Sequence, residues 1–334
     1  MSEELTYEQK VNKVKELSSC YDIKDDIEIC DHEKMKNIMD YKLNIDLEII
    51  KGIFESDFKK ASLNDDDVKK ILNDFYKNHP FLIPFVGKDY AKNDKKKFLY
   101  VLESHYLPEF SDVYANMPKK SKNKNKWLKE QWYKHDFSWE NLKSSSKSEI
   151  SLYREDIEYM WTERVVKNNI KFNNRFKALF ENMLNIKKEK IESAVESIAF
   201  MNYFLRPAEH TGASIKYEYI DSLFSYLNLI RVWKALDEPN IIICSSKAKY
   251  SFNSNFKNHK DFLKKENTKE NTKENTYEDK TNFTEKVNFC LCNHPSNMSW
   301  NRKRNVSKEE KEKYRLENEY TTSDEILRKF KELI

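Results

Sequence analysis

Four short, unbroken apolar runs constrain this chain more than any other feature. They are Lys97-Phe98-Leu99-Tyr100-Val101-Leu102, Ser197-Ile198-Ala199-Phe200-Met201-Asn202-Tyr203-Phe204, Asn240-Ile241-Ile242-Ile243-Cys244 and Val287-Asn288-Phe289-Cys290-Leu291-Cys292. Continuous runs of this length fit strands buried on both faces of a parallel sheet. Amphipathic stretches lie between them: Phe172, Phe176, Leu179, Phe180, Met183 and Leu184 make one helical face, and Ile220, Leu223, Phe224, Leu227, Ile230 and Val232-Trp233 make another. Strands alternating with helices predict an α/β fold, a three-layer α/β/α domain around a central four-stranded, mainly parallel sheet.

The flanks read differently. Residues 1–76 are predicted to be an N-terminal helical extension, in which Asn64-Asp65-Asp66-Asp67 supplies a cap and an acidic first turn for a helix through Val68, Ile71, Leu72 and Phe75. Pro80 and Pro84 keep the apolar stretch from His79 to Gly87 out of a helix. The α/β domain is expected over 77–306, with insertions at 117–150 and 253–284. The second insertion holds Lys-Glu-Asn-Thr three times in residues 265–276, with no apolar residue, and reads as a solvated surface loop between the third and fourth strands. Residues 307–334 read as a polar helical tail, with a capping signature at Thr322-Ser323-Asp324-Glu325.

Composition excludes several classes. Hydrophobic residues are 39% of the 334, with 20 Phe, 19 Tyr and 6 Trp, enough for a sizeable core despite a mean hydropathy of -0.89. Three Gly are too few for a glycine-rich phosphate loop. Lys+Arg total 60 against Asp+Glu 56, so a nucleic-acid surface requires local sorting of charge. The cysteines (Cys20, Cys30, Cys244, Cys290, Cys292) are odd in number and lack zinc spacing, so no metal and no cofactor are expected, and a reduced, cytoplasmic setting is. Met1 to Lys10 is polar, without the apolar core of a signal peptide, and no apolar run approaches a membrane span.

In a doubly wound sheet, ligands bind beyond the carboxyl ends of the strands. Polar and aromatic residues gather at all four ends: Glu103-Ser104-His105-Tyr106, then Asn202 with Arg206-Pro207-Ala208-Glu209-His210, then Ser245-Ser246-Lys247, then Asn293-His294-Pro295-Ser296-Asn297-Met298-Ser299.

These residues resemble the uracil-DNA glycosylase superfamily. Phe289 to Ser299 is similar to that family's strand followed by its His-Pro-Ser-Pro-Leu-Ser motif. Tyr100 to Tyr106 occupies the place of the first motif, Gly-Gln-Asp-Pro-Tyr-His or Gly-Glu-Ala-Pro-Gly in different branches, with Leu102 at the usual Gly and His105 at the usual Pro. Ile198 to Asn202 resembles the strand that ends in a base-reading Asn. The likeness covers roughly residues 79–305.

The resemblance implies roles. Glycosidic cleavage builds positive charge on the sugar and negative charge on the leaving base, so it needs a carboxylate near the sugar and a donor near the base. Glu103 matches the Glu of the Gly-Glu-Ala branch, to activate water or stabilise the sugar cation, and His105 is a second candidate base. His294 would donate to the base anion. Asn202 would read a pyrimidine edge, Tyr106 would shape the pocket, and Ser104 stands where another branch has its water-activating Asp. Met298 stands at the place of the intercalating Leu, and Ser296, Arg302, Arg304, Lys247 and Arg206 would contact DNA. The lysine-rich run from Lys119 to Trp127 is a further candidate contact. The expected protein is a monomeric DNA glycosylase acting on flipped uracil or a modified base in duplex or single-stranded DNA. The alternative is a non-catalytic DNA- or base-binding module on the same fold, in defence against foreign modified DNA.

Overall fold

The structure is a computed structural model that describes residues 31–43, 47–55, 65–78, 82–92, 97–104, 196–206, 208, 214–269, 282–292, 304–305 and 319–320. Its centre is a mixed five-stranded sheet of order β1-β3-β2-β4-β5, formed by β1 (Phe85–Val86), β2 (Phe98–Leu102), β3 (Ala199–Asn202), β4 (Asn240–Cys244) and β5 (Phe289–Cys292). The fold is α/β. All four apolar runs form strands, mutually parallel, with Leu102 opposite Asn202 and Cys244 opposite Cys292. The sheet has one strand more than the four expected. Phe85 and Val86, directly after Pro84, add an antiparallel edge to β3. An edge strand of two residues suits a chain that proline has just started.

Strand alternation sorts the sheet's side chains into two faces. Phe289, Ile241 and Leu99 lie level on one face, and Phe289 packs 5.0 Å from the Phe252 ring. Phe200 and Tyr100 lie on the other, 5.4 Å apart. Leu99, Ile241, Tyr100 and Phe200 are all fully buried, so both faces are covered, as the unbroken runs require.

Helices α4 (Tyr219–Ala235) and α5 (Ser246–Lys269) follow β3 and β4. Both connections move the same way across the sheet, so right-handed crossover places both helices on one face. They meet through small polar groups: Ser222 Oγ and Ser251 Oγ are 2.6 Å apart, and Asn255 Nδ2 donates to Ser222 Oγ at 2.9 Å.

Helix α4 is buried along nearly its whole circumference. Three N-terminal helices, α1 (His32–Asp40), α2 (Leu47–Ile53) and α3 (Asp65–Asn78), share its core. The N-terminal helices thus pack directly on the helix that follows β3. Asn228 Nδ2 donates to Tyr76 Oη at 2.8 Å, and buried Arg231 donates to Leu72 O at 2.6 Å and to Met39 O at 2.7 Å.

Two further expectations are corrected. The insertion expected from residue 253 begins inside α5, which continues to Lys269 and takes in the first Lys-Glu-Asn-Thr unit. Phe252, Asn255, Phe256, His259 and Phe262 recur at helical spacing, and their polar neighbours masked that face in the sequence. Phe283, also within the expected insertion, opens the short α6 (Phe283–Lys286) and packs edge-on to Trp233 at 5.0 Å. In the expected helical tail, β7 (Glu319–Tyr320) pairs antiparallel with β6 (Arg304–Asn305). The insertion at 117–150 and the Phe172–Leu184 face lie outside the described residues.

Candidate functional site

The chain leaves central strand β2 toward β3, then crosses to β4 on the other side of β2. That reversal makes the carboxyl ends of β2 and β4 the topological switch point, the place where open α/β sheets bind ligands. Glu103 follows β2 and Ser245 follows β4, level with each other and on the same face. Ser245 Oγ donates to Glu103 Oε2 at 2.7 Å, directly across the switch point.

Glu103 is the hub of this edge. Its Oε1 accepts from Ser214 Oγ and from the Ile215 N–H at 3.2 Å. Its own carbonyl accepts from the Phe204 N–H at 2.8 Å, so the main chain is fixed as well. A carboxylate offers about four acceptor directions, and the described donors take three. The remaining direction lies on Oε2. Ser245 is also the N-cap of α5, accepting from the Ala248 N–H at 3.2 Å, so one hydroxyl orients the acid and starts the helix. Lys247 Nζ donates to Ile215 O, tying the same 214–215 segment to α5.

The segment that carries Ser214 and Ile215 is held by a buried ion pair. Arg206 Nε donates to Asp221 Oδ1 at 3.1 Å and Nη2 donates to Oδ2 at 3.1 Å, with both side chains fully buried. Nη2 also donates to Lys216 O at 3.0 Å, and Asp221 Oδ2 accepts from the Glu218 N–H at 2.9 Å. Arg206, expected to contact DNA, is thus an interior residue in this structure, and its charge is spent on Asp221. Lys247 is half-buried with an intramolecular partner.

Asn202 ends β3, beside the end of β2. It shares the Leu102 and Cys244 face, whereas Glu103 shares the Ser245 face. Acid and amide therefore reach the same edge of the sheet from opposite faces. Ser104 follows Glu103 and is half-buried. Arg304 lies on the main chain of β6, away from the five-stranded sheet's pairing. His105, Tyr106, His294, Ser296, Met298 and Arg302 lie outside the described residues, as does the run Lys119 to Trp127.

Sequence reasoning missed Ser214, Ile215 and Ser245 as partners of the acid. Ser245 carried a signal, a serine directly between an apolar strand and an amphipathic helix, which marks an N-cap. Ser214 carried none, because its role depends on how the Arg206–Asp221 pair folds the segment. Among the described residues no group of three or more His, Cys, Asp or Glu could hold a metal ion, and no helix is long and apolar enough to cross a membrane. No protein-family model matches this chain, nor does any curated protein or solved structure.

Proposed function

We propose that this protein is a divergent member of the uracil-DNA glycosylase superfamily that hydrolyses the N-glycosidic bond of a base flipped out of DNA. The observation that carries the reading is the oriented carboxylate of Glu103 at the switch point, held by Ser214, Ile215 and Ser245 with one acceptor direction left by the described donors. That direction suits a water. In the proposed reaction the sugar–base bond breaks, the electron pair leaves with the base, and the water adds to the sugar carbon as Glu103 takes its proton. Asn202 reads the base from the other face of the edge, and His294 donates to the departing base. The first motif diverges at Leu102 and His105, so the substrate is uracil or a modified base.

One observation favours the non-catalytic reading. Three hydrogen bonds also make Glu103 a latch joining β2, the 214–215 segment and α5. The Glu103→Gln variant separates the two, because it keeps the shape and much of the hydrogen bonding. The purified protein is incubated with single- and double-stranded DNA carrying uracil, alkylated, oxidised or glycosylated bases, and abasic sites are counted. Hydrolysis predicts base release that falls by about 10²–10⁴-fold in Glu103→Gln. Absence of abasic product from every substrate would leave the binding module as the surviving reading.

A further inference from the structure

Charge is nearly balanced over the whole chain at +4, yet it is sorted on α5. From Ser246 to Lys265 this helix carries Lys247, Lys249, Lys257, Lys260, Lys264 and Lys265 against Asp261 alone, six minus one, or +5 in twenty residues. The balance over that one stretch exceeds that of the entire protein.

The apolar side of α5 faces the core through Ala248, Phe252 and His259. Its opposite side exposes Tyr250, Asn253, Ser254, Lys257, Lys260, Asp261 and Lys264, which recur every three or four residues and so form one stripe of three lysines against one aspartate. At 1.5 Å per residue the stripe runs about 21 Å from Tyr250 to Lys264. No ion pair among the described residues engages Lys257 or Lys260. Tyr250 is 67% exposed, the most exposed large hydrophobic side chain described, and Lys249 Nζ lies 5.6 Å from its ring centre. The helix that carries the stripe starts beside Glu103, because Ser245, which binds that acid, caps it.

We propose that the outer stripe of α5 tracks a single strand of DNA leading to Glu103, with Tyr250 stacked on an unpaired base and Lys257 and Lys260 against successive phosphates. An open aromatic ring joined to a line of cations is the combination that binds unpaired strands: the ring takes any base's flat face, and the cations follow the backbone. A duplex offers no free base face to the ring. The choice of DNA rests on the glycosylase reading, whereas the stripe itself rests on charge and exposure.

The test uses the full chain and an unmodified, fluorescent oligothymidine of about 15 nucleotides, long enough for a typical single-strand site. Binding is read by anisotropy across a salt series, so no base release is required. Lys257→Gln/Lys260→Gln is expected to flatten the log–log salt slope by about 1.4, two phosphates at about 0.7 each on a single strand. Tyr250→Ala is expected to weaken binding roughly tenfold, and Tyr250→Phe to retain it. The exposed pair on α3, Lys69→Gln/Lys70→Gln, serves as the charge-matched control and is expected to leave the slope as in the wild type. The proposal is overturned if the wild-type chain does not bind the strand, or if the α5 variants match the α3 control. It is equally overturned if duplex DNA, an RNA strand of the same length or polyglutamate binds as tightly. Loss of strand binding in the α5 variants, together with no abasic product from any substrate, would uphold this surface while removing the glycosylase reading.

Discussion

Replacing Arg206 by Met tests whether the clip beneath the acid is built as described. The substitution keeps an unbranched apolar stem and deletes the guanidinium, removing its contacts to both Asp221 oxygens and to Lys216 O. Both partners are fully buried, so the Asp221 carboxyl loses the guanidinium in the interior while keeping its bond from the Glu218 N–H. Breaking one side of such a pair costs about 3–5 kcal/mol, against a total stability of about 5–15 kcal/mol for a typical domain. Replacing both, Arg206→Met with Asp221→Leu, removes the stranded charge. That double variant should cost only about 1–2 kcal/mol, chiefly the lost helix cap. The assay is urea unfolding of the four proteins of the cycle, followed by tryptophan fluorescence, with Trp233 fully buried among the reporters. A surface arginine that merely touched DNA would change stability by no more than about 0.5 kcal/mol on substitution. A loss below about 1 kcal/mol in Arg206→Met, or a double variant worse than the single, would refute the reasoning.

Further outcomes follow from other contacts. Gly87→Ala should lower stability by about 2–3 kcal/mol, because a Cβ there would lie 2.1 Å from the Glu196 carbonyl oxygen, which is main chain and cannot turn aside. Gly52→Ala first meets the Phe262 ring, a side chain that can shift, and the helix propensity gained offsets its displacement to within about 1 kcal/mol, so the two thermal melts should differ clearly. Ser245→Ala should lower stability by about 1 kcal/mol through the lost cap, and should reduce base release by loosening Glu103. Burial pushes the Tyr76 hydroxyl up to about 12, partly offset by its Asn228 hydrogen bond and the Arg231 charge, and burial pushes Tyr203 and Tyr90 in the same direction. A folded value above the unfolded value of about 10 means this stability is complete below pH 10 and is lost as pH rises toward 12, at about 1.4 kcal/mol per pH unit for Tyr76. A urea midpoint unchanged between pH 8 and pH 11 would contradict it. Lys34 and Lys97 outweigh burial and hold the Asp237 carboxyl below its usual range, so its small contribution should be present above about pH 4 and vanish below it.

The sheet was legible in the sequence because burial on both faces leaves no polar position to break an apolar run, and β2, β3, β4 and β5 are such runs. Strand β1 was not, because Phe85-Val86 is too short to show a period. The length of α5 was hidden for another reason. Its buried side includes Asn255 and His259, and its exposed side is so polar that residues 253–269 looked like loop. Glu103 was legible from its place after a strand, but its partners were not. Ser214 lies more than a hundred residues from it, and Arg206 looked like a surface cation until Asp221 was placed beside it. Asn202 was correctly put at a strand end, while the face it occupies depends on a register that one sequence does not reveal.

The all-round burial of α4 has a consequence for synthesis. Arg231 fastens to Met39 and Leu72, 192 and 159 residues earlier in the chain. At about 5–20 residues per second, a ribosome exposes the N-terminal helices roughly 10–40 s before the helix that shelters them emerges. Through that interval their apolar sides lack the cover of α4, so the nascent chain is a natural client for a holding chaperone. A fragment that stops short of Ala235 should aggregate rather than fold.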